Sequence, residues 1–181
     1  RPYQNSIFQY SLHVKQSEYS KLIHKEYLAD PKKDPRFELI EQLISDCGHS
    51  GDILVYNISF ERSRLHELIE QFPEHKDPLQ CIIERLKDLM IPFQNKWYYT
   101  PKMRGSYSIK SVLPALIPEL SYNDLNINDG GTASSTFQSM MNGSFKGDEL
   151  STKKDLLEYC KLDTYAMVKI IEKLKNFNSN F

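Results

Sequence analysis

A long helical pattern near the C-terminus carries an acid where an apolar residue belongs, and that conflict constrains everything else in the chain. Thr152, with Asp155 three residues on, has the spacing of a capping box and opens the pattern. Leu156, Cys160, Met167, Ile170 and Leu174 then recur at three- and four-residue steps that keep one face toward a core. Asp163 lies three residues after Cys160 and four before Met167, on the same stripe. A carboxylate there loses its water, which is costly unless a cation or hydrogen-bond donors meet it. Tyr159 lies one turn earlier, about 40° around the helix, so its phenol can project beside the carboxylate. Equally, Asp163 can sit at the edge of the stripe in contact with water; the helix pattern alone leaves both arrangements open.

The 181 residues suit a single domain, able to bury roughly 70% of the surface of its unfolded chain. With 23 basic and 24 acidic residues, net charge marks no class of partner. A nucleic acid would have to be held locally or through metal ions. Cys47, Cys81 and Cys160 are odd in number and form no CxxC pair, which points to a reducing compartment and away from a zinc site or a disulfide frame. None of the five histidines has a metal-ligand spacing. No apolar run approaches ~20 residues and no signal peptide is visible, so a soluble, cytoplasmic chain with no membrane partner is expected. The chain starts at Arg1 with no initiating Met and runs at once into a strand pattern, as expected for a fragment of a longer protein with an upstream domain.

Residues 6–14 alternate, with Phe8, Tyr10, Leu12 and Val14 on one face and Gln9, Ser11 and His13 on the other, which predicts a half-buried strand. His13 reads there as an ordinary residue of the polar face. A second, antiparallel strand is expected within 19–28, after a turn near Gln16-Ser17. A helix over 35–46 follows, with Phe37, Ile40, Leu43 and Ile44 inward. Ile53-Leu54-Val55-Tyr56 is a continuous apolar run, the mark of a buried parallel strand. The next helix, 60–71, places Glu61 one turn before Leu65 on its inward stripe. A first-turn Glu is also favoured by the helix dipole, and Asn57 and Ser59 are natural cap residues. Further helices are expected over 78–87, 108–116 and 132–141, with a possible short strand over 88–91. From Lys96 to Lys110 aromatic and basic residues interleave, including Trp97, Tyr98, Tyr99, Lys102, Arg104 and Tyr107. Such a mixture stacks bases and contacts phosphates, or serves as a loop whose aromatics cover the core.

A strand ending in Tyr-Asn-x-x-Phe-Glu, followed much later by a helix with Tyr-x-x-x-Asp, resembles the DEDD superfamily of 3′–5′ exonucleases. Asn57, Phe60 and Glu61 match its second motif, and Tyr159 with Asp163 its third. The four-residue spacing is similar to the tyrosine branch, which includes polymerase proofreading domains and ribonuclease D. Arg-Pro-Tyr-Gln, Phe-Gln-Tyr-Ser-Leu-His, Gly-Ser-Tyr-Ser-Ile-Lys-Ser-Val-Leu-Pro and Tyr-Cys-Lys-Leu-Asp-Thr look like a bacterial family of unknown function described as exonucleases of this kind. The resemblance implies an α/β fold of the ribonuclease H type, with a mixed sheet flanked by helices. It also implies phosphodiester hydrolysis of DNA or RNA with two Mg²⁺ or Mn²⁺ ions. Glu61 and Asp163 would hold metal, and Tyr159 would orient the attacking water. Asn57, Lys102, Arg104, Tyr107 and Lys110 are the expected nucleic-acid contacts.

Two departures qualify the activity of this stretch alone. Glu61 stands where the family has Asp, and no Asp-x-Glu strand precedes residues 6–14. The family's first strand would then be missing, and the four-acid site incomplete. Asp88 is the first candidate for a completing acid. One mixed sheet is expected from 6–14, 19–28 and 53–56. Its gap would be repaired by direct pairing of those strands, by a strand exchanged between two copies in a homodimer, or by a different strand order. The other class of function is a non-catalytic ribonuclease H-like module that binds nucleic acid or a partner protein.

Overall fold

A computed structural model describes residues 7–34 and 36–178 as a mixed α/β fold. Position 6 of the expected first strand, position 35 of the expected first helix and the Arg-Pro-Tyr-Gln phrase lie outside the described residues. Strands β1 (Gln9–Val14) and β2 (Ile23–Leu28) form an antiparallel pair running from Gln9↔Leu28 to Val14↔Ile23. Helix α1 (Arg36–Cys47) buries Leu39 and Ile40 completely. Phe37, expected inward, is 55% exposed, its ring edge on His75. It lies roughly 115° from the centre of the face that Leu39, Ile40 and Leu43 define.

Strand β3 (Ile53–Val55) is parallel to β4 (Leu86–Asp88), pairing Ile53 with Leu86 and Val55 with Asp88. The connection is a helical crossover, as parallel strands require. It comprises α2 (Ile58–Gln71), a 3₁₀ turn at Pro73–His75 and α3 (Lys76–Glu84). The strand expected near 88–91 comes earlier, because α3 stops at Glu84. Then follow α4 (Ile91–Gln94), which the sequence did not signal, α5 (Ile109–Leu116), α6 (Gly130–Met141) and α7 (Glu149–Asn178). Helix α7 starts ahead of Thr152. Asp148 serves as its cap: the carboxylate accepts from the Leu150 N–H at 3.0 Å, and the carbonyl from the Thr152 N–H at 3.0 Å. Among the described residues, no helix is long and apolar enough to cross a membrane.

The expected single sheet is two separate two-stranded sheets, β1-β2 and β3-β4. Direct pairing of β1 with β3 does not occur among the described residues. Helix packing joins the two pairs instead. Tyr10 and Tyr27 from the first pair and Ile53 and Val55 from the second pack in one core around Leu39, Ile40, Leu65 and Leu79. On the other side α7 touches β1, β2 and β3. Leu54, in the middle of the run read as fully buried, is 43% exposed on that side. A second core joins α5 to α7 through Val112, Leu113, Ala166 and Ile170. A third gathers Phe8, Ile127, Phe137 and Leu156, with the Phe8 and Phe137 rings stacked 4.2 Å apart.

The turn from α1 into β3 is held by Arg85, which precedes β4. Its guanidinium donates to the carbonyls of Cys47 at 2.9 Å and of Gly48, Ser50 and Gly51 at 2.7 Å. Four carbonyls of the turn are met by one planar donor. Arg85→Ala is expected to destabilise the fold by about 2–3 kcal/mol, the scale of bonds to a charged donor, with Arg85→Lys only partly restoring it. Urea denaturation followed by circular dichroism measures both.

Candidate functional site

Glu61 is delivered by the junction of β3 and α2. There Asn57 adopts a left-handed backbone, φ 78° and ψ 73°, which Asn tolerates better than most residues. Asn57 stands at the N-cap position yet makes no side-chain capping bond. Asp88 caps the helix from the end of β4. Its carboxylate accepts from the N–H groups of Asn57 at 3.1 Å, Ile58 at 2.9 Å and Met90 at 2.8 Å. Three orphan donors and the positive helix end thus account for this acid. Asp88, the candidate for completing a metal site, is committed to structure.

Helix α7 delivers Asp163 to the same region. The charge of Asp163 reaches Glu61. Burial pushes Glu61 up to about 6, with the charge of Asp163 adding to the rise and Arg64 opposing it. Burial also raises Asp163, against hydrogen bonds from Tyr122 and Tyr159 and the charge of Lys110. The Tyr122 hydroxyl donates to Asp163 Oδ1 at 2.7 Å. The two phenol rings lie 6.3 Å apart, and Lys110 Nζ sits 5.9 Å from the centre of the Tyr122 ring. Burial and the neighbouring Asp163 keep both phenols protonated, so both act as donors. Asp163 is therefore not bare: half-buried, it is met by two phenols.

Tyr122 was not visible as a site residue in the sequence. It lies in the irregular segment between α5 and α6, where no periodicity reports orientation. The other expected contacts divide. The Tyr56 hydroxyl donates to the Tyr107 carbonyl at 2.7 Å, which ties the 96–110 loop to the turn carrying Asn57. Lys110 faces Tyr122 and Asp163. Lys102 and Arg104 are exposed on the loop, and among the described residues no hydrogen bond or ion pair ties them to the carboxylates. The loop serves both roles weighed for it. Phe93 and Tyr98 turn inward, ring edge to face, while Trp97 (73%), Tyr99 (50%) and Tyr107 (44%) stay exposed.

Two carboxylates pushed toward neutrality by burial form a hard oxygen donor pair, which suits Mg²⁺ or Mn²⁺ and gains from a cation. Among the described residues no group of three or more His, Cys, Asp or Glu converges as a ligand set. Glu61 and Asp163 fit as part of one.

Without metal, Glu61 should cost stability at neutral pH. Its folded pKa lies above the unfolded value, so the folded state is favoured below about 4.5 and loses that advantage as pH rises through about 6. Glu61→Gln is expected to stabilise the metal-free chain at pH 7.5 by on the order of 1 kcal/mol, and to change little at pH 4.5. Thermal melts at the two pH values check the sign.

The comparisons with known proteins bear on the whole arrangement. Over 198 aligned residues, covering 99% of this chain and 30% of the other, the sequence is 29% identical to the "Uncharacterized protein MG366 homolog" of Mycoplasma pneumoniae. It is 29% identical over 147 residues to the "Uncharacterized protein UU173" of Ureaplasma parvum, covering 70% of this chain and 21% of that protein. The chain thus spans less than a third of the length of these relatives. No solved structure matches. Residues 1–108, which include β1 to β4 and Glu61, match the family described as "Domain of unknown function (DUF2779)", and the chain belongs to that family.

Proposed function

We propose that this chain is part of a metal-dependent 3′–5′ exonuclease of the tyrosine branch of the DEDD superfamily, acting on DNA or RNA. The observation that carries this reading is that Glu61 on α2 lies within electrostatic reach of Asp163 on α7, the latter hydrogen-bonded by Tyr159. Divalent ions, when bound, would lower the pKa of a water and offset charge on the leaving oxygen. Glu61 and Asp163 supply oxygen ligands. Tyr159 orients the water and does not abstract its proton, because its phenol stays protonated. Asn57, Tyr107 and Lys110 line the approach to the carboxylates. Lys102 and Arg104, with the exposed rings of Trp97 and Tyr99, contact backbone and unpaired bases further out.

In this reading the fold is ribonuclease H-like. The two remaining acids come from a strand outside the described residues, lying between β1 and β3. Gln9 Oε1, buried without a hydrogen-bond partner among the described residues, fits a neighbour supplied from there. That strand belongs to an upstream part of the same protein or to a second copy. The three free cysteines accord with a cytoplasmic setting.

The test is digestion of end-labelled single- and double-stranded DNA and RNA by the full-length protein with Mg²⁺ or Mn²⁺. Asp163→Asn should remove nearly all metal-dependent cleavage, and Tyr159→Phe should leave a measurable remainder. Metal-independent binding with no cleavage of any substrate would replace this reading by a non-catalytic nucleic-acid module.

A further inference from the structure

The polar face of β1 packs against α7, and Ser11, 6% exposed, is the buried polar residue among those described. Its hydroxyl lies 2.8 Å from Thr164 Oγ1. His13 Nδ1 lies 2.8 Å from the same oxygen, and Thr164 reaches the Lys161 carbonyl at 3.2 Å. Three contacts use the one proton and two lone pairs of the threonine in full. The assignment that satisfies all of them has Thr164 donating to Lys161 and accepting from Ser11 and His13. Ser11 in turn accepts from His24 Nε2 at 3.0 Å. His13 and His24 are a cross-strand pair with rings stacked 4.6 Å apart.

Thr164 follows Asp163 on α7. A contact that fixes Thr164 fixes the rotation and level of the helix for its neighbour. We propose that Ser11, His13 and His24 form a latch on Thr164 that positions Asp163, and that the latch opens when the imidazole pair takes up protons. The consequence for cleavage rests on the function proposed above; the latch itself is a property of the packing.

The groups facing the pair are Glu26 on β2, 3.6 Å from His24, and Lys161 and Tyr165 on α7. Glu26 can offset one added proton. A second imidazolium would be stacked on the first, under Lys161. Burial, then His24 and Lys161, hold His13 down at about 4; burial and Lys161 lower His24 against Glu26. A base whose folded pKa is depressed binds its proton more readily in the open form. The closed latch is at full strength above about 6.5 and weakens as pH falls toward 4.

Cys160, one turn before Thr164, reports on the latch. Its side chain is only partly exposed, near Asp163, Glu61 and Glu26, and desolvation holds the thiol strongly protonated. The parent for the test carries Cys47→Ser and Cys81→Ser. The rate of reaction with a pyridyl disulfide is divided by that of a free thiol at the same pH. At pH 7 this ratio should rise about tenfold in Thr164→Val and stay within about twofold of the parent in Thr164→Ser, which keeps the hydroxyl. In the parent it should rise between pH 6.5 and 4.5, and His13→Asn should abolish that pH dependence. Equal labelling of Thr164→Val and the parent, or a ratio that does not change with pH, overturns the latch. In the full-length protein, Thr164→Val should lower metal-dependent cleavage and leave nucleic-acid binding unchanged. An intact latch in a protein without cleavage would overturn the proposed function and leave the latch standing.

Discussion

The packing of α7 across both strand pairs is the contact on which the remaining structure depends. Among the described residues no ladder joins β1-β2 to β3-β4, and what holds them side by side is the helix that touches both and the α1 core beneath. A long helix can do this because its faces differ. Ala166 and Ile170 bury against α5, Leu156 against Phe8 and Phe137, and Thr164 bonds to β1. Apolar contacts supply most of the driving force, since burial is proportional to area and non-directional. The hydrogen bonds at Ser11 and His13 supply what area cannot, a single rotation and level for the helix.

That fixed level is what allows a carboxylate to be kept half-buried on α7. Asp163 loses water on folding and recovers part of the loss from Tyr122 and Tyr159. Among the described residues Glu61 has no comparable donors, and its pKa is raised beside a second acid. Leaving two acids in such a corner is unfavourable by itself, and structure alone has no use for it. Asp88 shows the contrast within a few residues: its carboxylate is fully used as a helix cap. An acid with three backbone donors is architecture, whereas Glu61 beside Asp163 has perturbed pKa values that structure alone does not call for, the kind of arrangement that marks candidate functional sites.

The strained turn at Asn57 belongs to the same arrangement. A left-handed residue between β3 and α2 aims the first turn of α2, and with it Glu61, toward α7. The cap that stabilises this turn comes from β4, not from Asn57 itself. The side chain of Asn57 is thereby left exposed at the mouth of the site. Tyr56 bonds to Tyr107 immediately beside it, so the aromatic and basic loop is anchored to the same turn.

Local pattern carried much of this fold. The alternation of 6–14, the apolar run at 53–55 and the three- and four-residue steps of 156–174 each identified an element, because side-chain period follows backbone geometry. The same steps exposed Glu61 and Asp163 as acids on inward stripes. Periodicity is silent about loops and about partners, so Tyr122 and the capping role of Asp88 could not be read. It also says that Ser11 and His13 share a polar face without saying what covers it. That face is not wet; α7 packs on it, 150 residues further along the chain. The sequence alone determined most of the segments that become helix or strand and placed Glu61 and Asp163 on inward stripes, since both follow from local spacing. Only the tertiary structure decided that the strands form two pairs, that two phenols meet Asp163 and that the histidines lie beneath α7, because those outcomes depend on contacts between distant segments.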